Sequence, residues 1–221
     1  MIMKKLLILI CLILTANTVY AEGFTDTVND GYGAGSAVIF DDIENVPWAH
    51  EAIEFFVTNG LIKQNFENKL YPNKHITREE FVDLLISSFG IYEITATCDF
   101  TDISEQYYGV IATANKNGIV NGISETEFGF GQKITRQDLV TMSSRILSHL
   151  DIETVTDGDL KFDDKDDISS YAYQSVLKLT TMGIINGDNL NCFNPKNFTT
   201  RAEAYKIIYL LRMTETIRAT P

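Results

Sequence analysis

Three arginines stand where this chain could do chemistry with an anion. Arg78, Arg136 and Arg201 each follow a threonine, in Ile76-Thr77-Arg78-Glu79-Glu80-Phe81, Ile134-Thr135-Arg136-Gln137-Asp138-Leu139 and Thr199-Thr200-Arg201-Ala202-Glu203-Ala204. A threonine followed three residues later by an acid, ahead of an apolar run at helical spacing, is a capping box. The hydroxyl accepts from an early helix N–H and the acid reaches back to the cap amide. Asp138 is one methylene shorter than Glu, so the second box should be the weaker. Capping explains the Thr and the acid but not the Arg, because the positive end of the helix dipole disfavours a cation by about 0.3–1 kcal/mol. Half of the six arginines nevertheless sit there. Two readings stay open: a solvated or ion-paired structural Arg, or an anion site combining helix N–H groups with a guanidinium fork for carboxylate or phosphate.

The elements that must hold these arginines form a repeat. Phe40-Asp41-Asp42-Ile43, Phe100-Thr101-Asp102-Ile103 and Phe162-Asp163-Asp164 each precede an aromatic and an amphipathic run that ends at Gly60, Gly118 or Gly183. Trp48, Ala52, Ile53, Phe56 and Val57 mark the face of the first run, with Pro47 as its start signal and Gly60 as a C′ residue. Each glycine leads into two aliphatics, a segment rich in Asn, Gly and Asp, and then the Thr-Arg helix. Those helices carry their own stripes: Phe81, Leu84, Leu85 and Phe89; Leu139, Met142, Ile146 and Leu150; Ala204, Ile207, Ile208 and Leu211. The three glycines lie 58 and 65 residues apart, and a unit of that size with two helices cannot bury a core alone. Strand content should be slight.

Of the 221 residues, Met1 to Ala21 read as a signal peptide: Lys4 and Lys5, an apolar stretch from Leu6 to Leu14, and a Val19-Tyr20-Ala21 cleavage site. That stretch is too short to remain as a membrane span. Residues 22–39 read as a glycine-containing, flexible lead-in. The tail from Glu215 shows no assignable pattern. The segment 1–21 holds two lysines and no acid, so its removal takes the net charge from −12 to −14. That balance argues against nucleic acid or an anionic membrane as a partner, and any anionic ligand must be held by local cations. Cys98 and Cys192 could pair in an exported protein, but their spacing does not test it. His50, His75 and His149 have no metal-ligand spacing, and the Asp157-Gly158-Asp159 and Asp163–Asp167 runs lack the order of a calcium loop. No catalytic residue, metal or cofactor is expected.

Taken together, the pattern resembles the S-layer homology (SLH) family: Phe-x-Asp, an aromatic or Trp-Ala, Gly-Ile-aliphatic-x-Gly, Phe-x-Pro and Thr-Arg-Ala-Glu. The third copy carries it most fully, in Phe162 with Asp164, Tyr171-Ala172, Gly183-Ile184-Ile185-Asn186-Gly187, Phe193-Asn194-Pro195 and Thr200-Arg201-Ala202-Glu203. The first departs at Gln64 and Leu70-Tyr71-Pro72. The second departs at Phe128-Gly129-Phe130 and has Gln106 or Tyr107 at the aromatic position. The resemblance implies an all-α fold of three helical-hairpin repeats, at 40–94, 98–152 and 160–213, packed as a pseudo-threefold bundle. It further implies an exported protein anchored without covalent linkage at the cell wall or cell surface. The ligand would be a secondary cell-wall polymer, often pyruvylated, or peptidoglycan itself.

A pyruvyl ketal offers a planar carboxylate that Arg78, Arg136 or Arg201 could grip. Trp48 and Tyr171 could stack on sugar rings or simply pack in the core. Asp42, Asp102 and Asp164 could accept from sugar hydroxyls or cap the helix that follows. Gly122 and Gly187, the second glycines of their motifs, join the candidate ligand-binding set. An adaptor that accepts other envelope proteins is the competing reading.

Overall fold

The computed structural model describes residues 40–62, 66–152, 156 and 158–218. Contacts divide the chain into Met1–Ala37 and Val38–Pro221. The proposed signal peptide (1–21), the lead-in (22–39) and Gln64 lie outside the described residues.

Among the described residues six α-helices follow one another: α1 (His50–Thr58), α2 (Arg78–Ser88), α3 (Glu105–Lys116), α4 (Arg136–His149), α5 (Ser170–Thr181) and α6 (Arg201–Arg218). Short 3-10 turns at Pro47–Ala49 and Lys165–Asp167 lead into α1 and α5. The all-α class is the expected one. No strand occurs among the described residues, only isolated antiparallel bridges. The capping signals work as read. Thr77 and Glu80 form a full box on α2, and Thr200 and Glu203 exchange the same bonds on α6. On α4 the Thr135 hydroxyl accepts from the Asp138 N–H, but the shorter acid bonds back to that hydroxyl instead of to the cap amide. Gly60, Gly118 and Gly183 take φ of +68°, +68° and +72°, the left-handed turn that ends each first helix. Helix α6 extends past Glu215, where no pattern was expected. Thr214 and Thr216 donate to carbonyls four residues back, and Arg212 pairs with Glu215.

The helices of one repeat do not chiefly pack on each other. Helix α3 packs on α2, α5 on α4, and α1 closes the circle on α6, so each first helix rests on the second helix of the preceding repeat. Helix α6 also contacts α2 and α4. A repeat therefore lends its apolar face to its neighbour, which is how units too small for a private core share one. Phe40, Phe56, Phe81, Phe128 and Phe193 are fully buried in it, each contributing about 1.5–3 kcal/mol. Around the pseudo-threefold axis the backbone forms a closed ring. Ile76 N–H donates to Thr199 O (3.1 Å), Thr199 N–H to Ile134 O (3.1 Å) and Ile134 N–H to Ile76 O (3.2 Å). This ring fixes the starts of α2, α4 and α6, and with them the three arginines.

Candidate functional site

Each motif arginine crosses to the repeat that follows it. Arg78 Nε donates to Phe128 O (3.1 Å) and its Nη2 to Asn121 O (3.2 Å), with the guanidinium 5.1 Å from the Phe128 ring. Arg136 repeats the arrangement on Asn186 O (3.0 Å) and the Phe193 ring (5.3 Å). Arg201 faces the first repeat. Its Nη2 lies 3.4 Å from Glu80 Oε1, and its buried Nε has no hydrogen-bond partner among the described residues. Arg136 Nη1 likewise stands 3.8 Å from Glu203 Oε1, whereas no carboxylate among the described residues comes within 4.0 Å of Arg78. Burial lowers the Arg78 and Arg136 guanidinium pKa values from the usual arginine range, against the opposing pull of Asp138 and Glu203 respectively. Arginine stays cationic under such shifts. The structural reading of these side chains is thus realised in part: all three tie one repeat to the next, and two do so with an ion pair.

Most of the helix amides expected to assist are already used. Arg136 and Gln137 N–H donate to Asn197 O (2.8 Å) and Pro195 O (3.0 Å), and Arg201 and Ala202 N–H to Lys74 O and Pro72 O (both 2.9 Å). Arg78 N–H donates to Gln132 O (2.9 Å), and the threonine caps take the amide two residues further on in each helix. Assembling the threefold ring therefore takes up these backbone donors and leaves the guanidinium groups as the main cationic feature of the helix starts.

What the arginines do line is a set of inter-repeat grooves. The first, 410 Å³, has Arg78, Asn121, Gly122 and Ile123 on one side and Asp138, Met142, Arg145 and Tyr171 on the other. The second, 420 Å³, joins Arg136 to Asn186, Gly187, Asp188 and Glu203. The third, 260 Å³, joins Arg201 to Leu61, Ile62, Glu80, Asp83 and Tyr107. Burial raises the Asp83 carboxyl pKa in this last groove.

Tyr171 is 55 % exposed and reaches the Arg78 groove from α5, so it is not a core residue. Its hydroxyl donates to Asp138 Oδ1 and accepts from Gln137 Nε2, both at 2.6 Å. Burial and the bond to Asp138 push its pKa up to about 12. Trp48, 50 % exposed on the turn before α1, is no core residue either, but it lines none of these three grooves. In the second repeat it is Tyr107, not the exposed Gln106, that enters a groove.

The three aspartates do not cap helices. Asp42 accepts from Leu70 and Tyr71 N–H (2.9 and 2.8 Å), and Asp164 from Phe193 and Asn194 N–H (both 2.7 Å). Asp102 accepts from Phe128, Gly129 and Phe130 N–H (2.7, 2.8 and 3.0 Å). Each carboxylate staples the loop before its second helix, and in the second and third repeats that loop includes the phenylalanine whose ring seats the preceding repeat's arginine. Partial desolvation raises the Asp102 pKa, but the three N–H bonds outweigh it and leave the carboxyl below its usual range. Gly122 and Gly187 are there for closeness. A Cβ on Gly122 would meet Glu127 O at 2.3 Å, Phe100 Cε1 at 2.5 Å and Ser124 O at 2.5 Å, while one on Gly187 would meet Phe162 Cε1 at 3.1 Å.

Cys98 and Cys192 are both free thiols. No group of three metal-ligating side chains occurs, and no helix is long and apolar enough to cross a membrane, among the described residues. Arg145 is a groove residue that the repeat pattern does not single out, and Asp138, read from the sequence only as a cap, lines the same groove. Only the presence of Arg145 beside the apolar stripe of α4 could have flagged it.

Comparison with known proteins agrees with this architecture. A family model described as the S-layer homology domain matches residues 39–82, 99–140 and 161–204. The chain is 30 % identical over 196 residues to Exoglucanase XynX of Acetivibrio thermocellus, covering 85 % of this chain and 18 % of that protein. It is 31 % identical over 175 residues to an amylopullulanase of Thermoanaerobacterium thermosulfurigenes, covering 77 % of this chain and 9 % of that one. An S-layer protein of Bacillus thuringiensis subsp. finitimus is 26 % identical over 197 residues, or 87 % of this chain and 23 % of its own length. The chain thus spans less than a quarter of each of these relatives. Three tandem matches on one closed ring of repeats carry the conclusion that this chain belongs to the S-layer homology domain family.

Proposed function

We propose that the chain is a non-catalytic anchoring module that holds an exported protein to the cell wall by seating an acidic wall glycan in its inter-repeat grooves. Family membership and the S-layer relatives point to the cell surface or cell wall. The observation that carries the reading is the grooves themselves. All three have a guanidinium in the wall, and two are also lined by tyrosine, in a chain whose net charge is −12. Tyr171 offers a ring for a sugar face, and the cations favour a carboxylate such as that of a pyruvyl ketal.

A single charge-assisted hydrogen bond contributes about 1.5–3 kcal/mol. Retention on a wall then comes from several grooves on one polymer, through effective concentration. Co-sedimentation of the full chain with purified walls tests this, before and after mild acid strips the non-peptidoglycan polymer. Binding lost with the polymer identifies an accessory glycan, and binding kept identifies peptidoglycan. A chain that stays in the supernatant with both, yet pellets when other envelope proteins are present, would replace this reading with that of an adaptor.

A further inference from the structure

The three grooves are built alike but charged differently. In the Arg136 groove the only cation lining the cavity faces Asp188 and Glu203, and in the Arg201 groove it faces Glu80 and Asp83. The Arg78 groove has two cations, Arg78 and Arg145, against one acid, Asp138. That acid is already engaged: Oδ1 accepts from the Tyr171 hydroxyl and Oδ2 from the Thr135 hydroxyl, both at 2.6 Å. Arg145 sits nine residues into its motif helix, where the equivalent positions hold Ser87 and Leu210.

The two cations of this groove are also held differently. Arg78 is 6 % exposed and spends Nε and Nη2 on loop carbonyls. Arg145 is half-buried and makes one long bond, from Nη1 to Ile119 O at 3.4 Å. No carboxylate among the described residues lies within 4.0 Å of either. A buried, doubly tethered guanidinium sets a local positive potential but has little of its fork left to offer. A loosely held one beside it can turn that fork to a carboxylate or phosphate.

We infer that Arg145, outside the repeated motif, is the side chain that grips the anionic group of the ligand, and that the groove between the first and second repeats is the principal anion-binding groove of this chain. Arg78 holds the rim and supplies the field, and Tyr171 offers the ring at the opposite wall. The inference rests on the wall-glycan reading and adds to it which groove and which residue set its charge specificity.

The test uses the full chain and polymer fragments released from purified walls by mild acid, titrated calorimetrically at two salt concentrations. Arg145→Ser, which installs the residue of the third groove, should weaken binding on the order of tenfold and flatten its salt dependence. Arg145→Lys should recover part of the loss, and the melting temperature of both should match wild type. Ser87→Arg should strengthen binding by adding a cation to the Arg201 groove. Fragments amidated with carbodiimide should abolish the difference between wild type and Arg145→Ser if the anion is a carboxylate, and phosphatase-treated fragments if it is a phosphomonoester. Equal affinity and equal salt slope for wild type and Arg145→Ser would overturn the inference while leaving the anchoring reading standing. A wild-type chain that binds neither fragments nor walls would overturn both. Should Arg145→Ser fail to fold, Arg145→Lys still decides, since it would leave both affinity and salt slope unchanged if the position were merely structural.

Discussion

The grooves at Arg78 and Arg136 share one construction and diverge in what they can hold. Both place the motif arginine over a phenylalanine ring of the next repeat and under a rim carbonyl, Asn121 in one and Asn186 in the other. Past the rim glycine the chain continues with Ile123 in the first and Asp188 in the second. The acid at the start of the facing helix turns to a tyrosine in the first and stands 3.8 Å from the arginine in the second. What the fold needs is therefore repeated, and what a ligand would read is not. The lesson is that the repeated arginine is first a joint between repeats, and that the grooves differ in side chains the repeat leaves free to vary.

The largest expected effect strikes the rim. Gly122→Ala would drive a Cβ into two backbone oxygens and Phe100, and should cost above about 3 kcal/mol in denaturant unfolding. Gly187→Ala meets side-chain atoms and a backbone carbon no nearer than 3.1 Å, and should cost about 1 kcal/mol. Equal costs would mean that the two rims are not packed as described. Next comes the clamp. Asp102→Ala leaves three loop N–H groups without their carboxylate and should cost about 2–3 kcal/mol, more than Asp42→Ala, where two are lost.

The same residue gives a pH signature. The Asp102 pKa is lowered in the folded chain, so its contribution is fully present above about pH 4 and is lost as pH falls through the lowered value. Asp102→Asn should therefore flatten the acid limb of a stability–pH curve, and an unchanged limb would contradict the clamp. The smallest effect concerns Tyr171. Its raised pKa contributes stability that is complete below about pH 10 and lost as pH climbs toward about 12. Asp138→Asn removes the carboxylate partner but not the burial, so ultraviolet titration should show one tyrosine moving back toward 10. If none moves, Asp138 is not engaged by Tyr171 and the contrast between the two grooves weakens.

How much of this was readable from sequence follows from what kind of fact each part is. Caps, glycine turns and apolar stripes are local, so α2, α4 and α6 and the repeat period could be read directly, down to the weaker box at Asp138. Helix pairing is a matter of closure. The same stripes allow a hairpin within a repeat or an exchange between repeats, and only the closed ring through Ile76, Ile134 and Thr199 decides for exchange. The aspartates misled because an Asp ahead of a helix looks like a cap, while its partners, such as Phe128 N–H, lie 26 residues away. Tyr171 was found as an aromatic, but not its groove, which belongs to an arginine two repeats earlier. Arg145 carries no such mark in the sequence, because its helix position holds Ser87 and Leu210 in the other repeats.

The most direct measurement is an amide and Arg side-chain NMR titration of the full chain with wall-polymer fragments. Perturbations should appear first, and at the lowest ligand concentration, at Asn121 to Ile123, Arg145 and Tyr171. First perturbations at Asn186 to Asp188 or at Leu61, Ile62 and Tyr107, or equal responses in all three grooves, would contradict the account.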